Sequence, residues 1–410
     1  MIPSYRLWLL ISAVALTLLL LWSQLSDINK ISGKKYEHFI PKRTLSKGPN
    51  APPVLAYWIL GSKGENKRIM RLVKAIYHPR NQYLLQLDSS SPDHERVELA
   101  ILVHSHKILG EFGNVDVVGK SYGVNQMGAS GLAAVLHAAA LLMRISADWD
   151  WFIPLSTSDY PLSTQDDILY AFTSLPRDLN FVGYTNDTDK RQNASLIAVD
   201  PSLYLTEKAP VFYAAEARQK PDSFQLFQGS AWMILSRVFV EHCVNGIDNL
   251  PRKLLMYFNN VNFPLQSYFQ TILCNTPQFQ NATINNNLRY IINEDHNMSH
   301  YGQLMESQAI FATPFRENDR KLQEIDEKIL NRSPDQIVPG KWCTKTGLMN
   351  ESSSSLNISD DLCSYWGDID DVEAGARGIK LGNYLSRMVA EKKSVTRLCR
   401  GHIMQKERKK

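Results

Sequence analysis

The stretch WDWFIPLSTSDYPLSTQDDILYAF, residues 149–172, decides how the chain is read. Trp151–Leu155 is a run of aromatic and β-branched side chains broken only by Pro154, and it reads as a buried strand. Ser156–Pro161 gathers Ser, Thr and Asp into a polar loop. Ser163 is a good N-cap for a helix from Thr164, and Asp166 and Asp167 suit its positive first turn. Ligands of open α/β sheets bind outside the carboxyl ends of strands, so Asp159 stands where a ligand would sit. On spacing alone, the same residues also make an ordinary strand–turn–helix in which Asp159 closes the turn.

The chain on either side repeats this alternation. Val54–Leu60 is a strand, and Glu65–Tyr77 places Ile69, Leu72, Val73 and Ile76 on one helical face, with Pro79 as a stop. Tyr83–Leu87 is a second strand closing on Asp88. Pro92–His106 is a helix, although Val97–Val103 is apolar enough for a strand. Val115–Val118 is a third strand and Gly128–Ile145 a long Ala/Leu helix. Four alternations of strand and helix predict a parallel α/β sheet. Beyond Phe172 the pattern loosens. Strands are expected at Asn180–Tyr184, at Phe227–Leu235 entered through Gly229, and at Arg289–Asn293. Helices are expected at Arg237–Gly246, at Leu265–Leu273 with Pro264 at its first position, at Arg320–Leu330 and near Lys380–Ala390.

With 410 residues, 44% of them hydrophobic, the chain can fill one large core or two small ones. A formal charge of +4 with no basic patch interleaved with aromatics gives no case for nucleic acid, and the basic end Lys406–Lys410 reads as a solvated tail. Leu7–Trp22 is free of charge and, extended to Leu25, is long enough to be a signal anchor. It lacks a small-residue cleavage site, which favours an uncleaved span with residues 1–6 as a short cytosolic tail. Residues 26–53 read as a stem. Seven N-x-S/T sequons fit a lumenal body: Asn186, Asn193, Asn281, Asn297, Asn331, Asn350 and Asn357. Five cysteines allow two disulfides and one free thiol. None has zinc spacing, and Cys343, Cys363 and Cys399 look like staples of a loop-rich tail.

LAYWILGSKGENKRIMRLVKAIYHPRNQYLLQLD (55–88), WFIPLSTSDYPLST (151–164), FQGSAWMILSR (227–237) and NFPLQSYFQTILCN (262–275) resemble, in that order, motifs of the core-2/I-branching β-1,6-N-acetylglucosaminyltransferase family. RKLLMYFNN and NLRYIINED fit its plant branch, whose members include β-glucuronosyltransferases acting on arabinogalactan proteins. The resemblance implies a GT-A-type, Rossmann-like nucleotide-sugar glycosyltransferase domain over residues 54–332, with a Cys-bearing extension, 333–410, packed on it. It implies a type II single-pass Golgi membrane protein, body lumenal, held by its N-terminal helix. The chemistry implied is inverting transfer from a UDP-sugar to a glycan acceptor on a glycoprotein, without a metal or other cofactor. A carboxylate removes the acceptor proton, and basic side chains stabilise the departing diphosphate. By the same match Asp88 ends the strand on the uridine side, and Asp159 occupies the loop where metal-dependent relatives carry Asp-x-Asp. Gly229, Ser230 and Trp232 fall on the acceptor side. The chain's own strings Asp148-Trp-Asp150 and Asp187-Thr-Asp189 read as solvated acids rather than Mn²⁺ ligands.

Three positions depart from the pattern. The family's catalytic Glu is Gln266 here, and an amide cannot accept a proton at physiological pH. The diphosphate-binding Lys is Pro314, which leaves Arg316, Arg320 or Lys321 to reach in. A Trp after the Arg-Tyr-Ile strand is Asn293. Acids able to stand in for the base are Glu207, Glu216, Glu294 and Asp295. The leading expectation is glucuronosyl transfer to galactan chains of arabinogalactan proteins, with N-acetylglucosaminyl transfer as the runner-up. The rival from another class is a silent member that binds or forms complexes with active Golgi transferases. An unrelated secreted α/β protein is a third reading, which the ordered motifs disfavour.

Overall fold

Alternate side chains of the first strand go to two different cores. In β1 (Leu55–Gly61), Leu55, Tyr57 and Ile59 join one apolar cluster, and Ala56 and Trp58 join another on the opposite face. A strand buried on both sides reads as a continuous apolar run, and this one is flanked by parallel neighbours, as such runs usually are. The computed structural model describes residues 43–185, 196–205, 207–217, 221, 223–246, 248–292, 300–344, 365–391 and 399. Among them β1 pairs in parallel with β2 (Gln82–Leu87) and with β4 (Trp151–Ser156), and β2 pairs in parallel with β3 (Val115–Val117). The expected parallel nucleus is therefore present.

Its continuation differs from an all-parallel sheet. The order, after β5 (Tyr160–Pro161), β6 (Asn180–Tyr184), β7 (Leu196–Val199), β8 (Phe212–Ala217), β9 (Gly229–Ser236) and β10 (Thr283–Ile284) are counted, is β10-β6-β9-β4-β1-β2-β3, and β9 runs antiparallel to both neighbours. The β4–β9 ladder consists of Trp151↔Ser236 and Phe152↔Leu235 and stops short of Pro154, which has no N–H to give it. Past that point the two strands are free to part. A small second sheet, β11 (Arg289–Ile291), β12 (Phe311–Thr313) and β5, lies beyond this opening. β7 and β8 form a separate hairpin.

Helices cover both faces. α1 (Asn66–Ile76) buries Ile69, Leu72, Val73 and Ile76, as its spacing predicts. α2 (Asp93–Ser105) buries only Leu99 and Val103. Its apolar run is helical, with Val97 and Ile101 turned outward. α3 (Lys107–Phe112) ends on Gly113, whose left-handed φ of 58° suits glycine. α4 (Ala129–Ile145) packs on the second face. α5 (Gln165–Thr173) starts one residue later than expected. Thr164, not Ser163, is the N-cap, and its hydroxyl accepts from the Asp167 N–H. α6 (Arg237–Asn245) and α7 (Asn249–Phe258) follow, then α8 (Tyr268–Asn275). The expected start of α8 at Leu265 is corrected: Pro264–Gln266 is a separate 3₁₀ turn, entered through Phe263 at φ 50°.

The outer segments are bound to this body. Residues 43–53, read as stem, are engaged: Arg43 donates to the carbonyls of Arg80 and Asn81 and to the Gln82 side chain. The expected span at residues 7–25 lies outside the described residues. Among those described, no helix is long and apolar enough to cross a membrane. Trp342 is buried edge-on to Tyr77 and Phe112. Asp167 Oδ1 accepts from the N–H groups of Gly375 and Gly378, which caps the helix Ala376–Ala390. The expected tail staple is corrected in one respect. Cys399 bonds to Cys274, on α8 in the body, Cys343 is also disulfide-bonded, and Cys243 is a buried free thiol. Of the sequons, Asn281 and Asn331 are described and exposed; the other five lie outside the described residues.

Beside that capped helix, burial pushes the Asp166 carboxyl up to about 7, helped by the nearby charges of Asp167, Glu373 and Asp371 and opposed by the Glu373 N–H. His78, 3.5 Å away, is held neutral by burial, at about 3. A carboxyl with a raised folded-state pKa keeps its proton in the fold while the unfolded chain, near 3.8, has lost it. Its contribution to stability therefore falls as pH rises from about 4 to about 7. Asp166→Asn should raise the urea midpoint clearly at pH 8 and little at pH 4.5. An equal effect at both values would refute a buried carboxyl that titrates in this window.

Candidate active site

The chain runs from β1 outward through β2 and β3, and β4 returns to the other side of β1. In open α/β sheets such a reversal is where ligands bind, outside the carboxyl ends of the strands, here β1 and β4. The segments around this position are Gly61–Glu65 after β1, Asp88–Ser91 after β2, Ser156–Asp159 after β4, and the entry of antiparallel β9.

Asp88 is buried at the end of β2. One of its oxygens accepts from the Ser90 N–H and hydroxyl, and the other is paired with Lys208 Nζ at 3.0 Å. After β4, Asp159 is wholly buried. Its Oδ2 accepts from the Ser156 N–H at 2.6 Å and the Ser156 hydroxyl at 3.0 Å, and its Oδ1 pairs with Arg289. The Arg289 guanidinium also donates to the Pro154 carbonyl and lies 4.1 Å from the centroid of the Trp232 ring. Burial lowers its pKa, and Asp159 opposes that shift. Asp159 thus follows the carboxyl end of β4 with its charge already matched inside the protein.

On the far side of the opening, Gln266 is half-buried and accepts from Gln228 Nε2 at 3.5 Å, a long bond. Gln270, one turn into α8, donates to the Ser230 carbonyl at 2.6 Å, and the Ser230 hydroxyl accepts from Asn287 Nδ2. Gly229 is fixed by the backbone: a Cβ there would lie 1.8 Å from the Gly183 carbonyl oxygen across the β6–β9 irregularity. Gly229, Ser230 and Trp232 therefore share the β9 entry, linked to Gln266 by Gln228 and to Asp159 by Arg289.

A third group joins β1, β4 and the small sheet. Glu65 accepts from the Ser62 N–H and hydroxyl and from the Thr157 hydroxyl, and pairs with Arg68. The Arg68 Nη2 group in turn reaches the carbonyls of Thr157 and Phe315. This fixes the segment after β12 beside the β4 loop, with Pro314 exposed. Arg316 and Arg320 are exposed, and Arg320 opens the helix Arg320–Lys328. A cleft of about 620 Å³ opens next to Thr157, between α1 and the segment Glu317–Leu322. At the opposite end of the strands, Asp148 pairs with Lys47 and Asp150 accepts from the Val54 N–H, so this Asp-x-Asp string is away from the crevice. Asp187, Asp189, Glu294 and Asp295 lie outside the described residues; Glu207 and Glu216 are exposed. Among the described residues no cluster of His, Cys, Asp and Glu has the makings of a metal site.

Sequence reasoning assigned no role to Arg289, Lys208, Gln228 or the Glu65–Arg68 pair. Arg289 carried a signal, a cation opening an apolar strand, whose partner lies 130 residues earlier in the chain.

The chain matches the family model described as Core-2/I-Branching enzyme over residues 55–308. It is 40% identical over 374 residues to the beta-glucuronosyltransferase GlcAT14A of Arabidopsis thaliana, covering 89% of this chain and 81% of the relative. Identity to the beta-glucuronosyltransferase GlcAT14C of the same plant is 43% over 316 residues, 73% of this chain and 82% of the relative. Xylosyltransferase 1 of Canis lupus familiaris is 31% identical over 243 residues, 58% of this chain and 24% of that protein.

The buried pair gives a direct test. Arg289→Ala leaves the Asp159 charge buried with no cation, and breaking such a pair costs about 3–5 kcal/mol. Arg289→Lys should recover only part of this, because an ammonium cannot both reach the Pro154 carbonyl in plane and stack on Trp232. Urea denaturation of the three forms checks it. A loss below about 1 kcal/mol in the Ala variant would mean that water reaches Asp159.

Proposed function

Because the chain belongs to the core-2/I-branching enzyme family, and so is a glycosyltransferase, we propose that it transfers a β-glucuronosyl group from UDP-glucuronate to galactan chains of arabinogalactan proteins. The observation that carries this reading is the alignment with beta-glucuronosyltransferases along most of both chains. In the proposed GT-A-type arrangement the nucleotide lies at the β1–β4 crevice with its base towards Asp88, and the acceptor enters past Gly229, Ser230 and Trp232. The acceptor hydroxyl oxygen attacks the anomeric carbon as the bond to the diphosphate breaks, and configuration inverts. The body is lumenal in the Golgi, held by the span at residues 7–25 and glycosylated.

Two protein tasks remain, taking up the hydroxyl proton and stabilising the diphosphate. Gln266 Oε1 can accept the hydroxyl's hydrogen bond and orient it, but the proton must pass to another acceptor, such as water. For the diphosphate, Arg316 and Arg320 are cations on the segment that follows Pro314. No metal is assigned to the step. The Asp148–Asp150 string supports this, being engaged at the other end of the strands.

Gln266→Glu should raise the initial rate of glucuronosyl transfer by anything up to the ~10²–10⁴-fold worth of a general base. The measurement is UDP release with galactan acceptor, corrected for acceptor-free release. A wild type as fast as ordinary transferases, with Gln266→Glu neutral or harmful, would place the base elsewhere; a wild type and variant both without transfer would favour the silent-partner reading. In the same assay EDTA should leave the rate unchanged. A requirement for Mn²⁺ would turn attention to Asp187 and Asp189.

A further inference from the structure

The cleft of about 620 Å³ beside Thr157 has one wall made by α1, and that wall is basic. Lys67, Arg71 and Lys74 follow one another at spacings of four and three residues, so they share one helical face. Lys74 is occupied, its Nζ donating to the Asp335 carbonyl at 2.8 Å. Arg71 is partly occupied: its Nη2 meets Asp326 at 2.7 Å, and its Nε donates to the Tyr160 hydroxyl at 3.3 Å. Its Nη1 and the exposed Lys67 ammonium have no partner among the described residues.

The charges behind this wall do not cancel. Asp326 is shared by two guanidiniums, Arg71 and Arg332, the second with its Nε at 2.8 Å. Tyr160 adds no charge: its hydroxyl, pushed up to about 12 chiefly by burial, keeps its proton and donates to Asp326. One carboxylate against two cations leaves a surplus positive charge. Asp326 and Arg332 are wholly buried, so the surplus can meet a ligand only through Arg71, whose side chain is 25% exposed and lines the cleft. Elsewhere in the lining the signs balance. Arg68 pairs with Glu65, and Glu317 and Asp335 match Lys67 and Lys74 in number. Charge left unpaired at a buried junction is costly, so the arrangement favours one anion at Arg71. A carboxylate fits that count, bringing a single charge and two acceptor oxygens for Arg71 Nη1 and Lys67. The rest of the cleft suits the body that carries it. Met70, Leu102 and Leu322 line it with apolar surface, and Ser105, Asn318 and Glu317 add hydrogen-bonding groups, a mixture that matches a ring with hydroxyls around an apolar face. We propose that this cleft is a binding site for a hexuronate, a sugar acid with one carboxylate, held by Arg71 and Lys67. Asp88, Gln266 and Arg289 are not among its lining residues, so the site is separate from the proposed transfer and does not depend on it.

The test is calorimetric titration of the full chain in detergent with D-glucuronate and D-galacturonate, in the presence of saturating UDP. Wild type should bind both, and glucose and galactose, which lack the charge, should not bind. Lys67→Ala and Arg71→Gln should each weaken uronate binding by about tenfold, the scale of one hydrogen bond to a charged group. Lys67 is exposed, so its Ala variant reads binding without a change in folding. Arg71→Gln leaves Asp326 paired with Arg332, and its thermal midpoint should stay near that of wild type. Uronate binding that appears only without UDP would place the ligand with the nucleotide and overturn the separate site. Binding left unchanged by both substitutions, or no uronate binding to wild type, would overturn it as well. Inorganic phosphate bound more tightly than either uronate, and lost in Lys67→Ala, would overturn the choice of a carboxylate. None of these outcomes bears on glucuronosyl transfer, which UDP release with galactan measures separately.

Discussion

The buried pair between Asp159 and Arg289 is the constraint around which the site is assembled. Two charges taken out of water cost several kcal/mol each unless their remaining hydrogen-bonding positions are filled. Here the filling comes from three separate parts of the chain, β4, β9 and β11. Ser156 supplies an N–H and a hydroxyl, Pro154 a carbonyl, Trp232 a ring face, and Arg289 itself comes from the small sheet. Each partner must hold its place for the pair to be tolerated. The pair therefore couples the β4 loop, the β9 entry and β11. It also explains the outcome at Pro154: where the ladder to β9 lapses, the freed carbonyl receives the guanidinium.

A second buried junction does the same for the other end of the small sheet. Asp326, fully buried, accepts from Arg71, Arg332 and the Tyr160 hydroxyl, and Arg332 also donates to that hydroxyl. Strands of two or three residues do not stand alone in water. β5, β11 and β12 persist because Phe311, Ala312 and Tyr160 join the main core and because these two charged junctions fix both ends. The consequence is functional. The segment after β12, where the family's lysine would be, is held against Ser158 by the Phe315 N–H and against α1 by Arg68.

The α/β core was legible in the sequence because its strands and helices carry strong local patterns. β1, β2, β4, α1 and α4 are long and apolar in the right period, and the motifs that carry the family resemblance lie on or beside them. What was not legible has common causes. The direction of β9 leaves no mark in a strand buried on both faces. β5 and β12 are too short for periodicity, and β7–β8 sits in a stretch of mixed composition. The Cys274–Cys399 bond and the Asp159–Arg289 pair join residues more than a hundred positions apart, and sequence spacing contains no record of either. Residues 43–53 looked like linker because their Pro and Gly content hides the contacts that tie them down: Arg43 donates to the Arg80 and Asn81 carbonyls, and Arg80 and Arg177 donate to the carbonyls of Ser46, Pro52 and Ala51.

The departure at Gln266 takes on a different character in its surroundings. In the sequence it was a helix-terminus position, where the dipole would keep a carboxylate ionised. The structure places it in a 3₁₀ turn ahead of α8, whose first residue is Tyr268, and the dipole's influence fades within a turn of the helix end. What surrounds it instead is a neutral seam. Gln228 faces Gln266, Gln270 holds the Ser230 carbonyl, and Thr271 bonds both the N–H and the carbonyl of Phe227. Within that seam Gln266 Oε1 has a neutral donor, Gln228 Nε2 at 3.5 Å. The seam is also able to receive a carboxylate, because Gln228 already points an N–H donor at the position. The turn around residue 266 thus offers the same donor to amide or acid, and in the transfer we propose the difference between them falls on the proton of the acceptor hydroxyl.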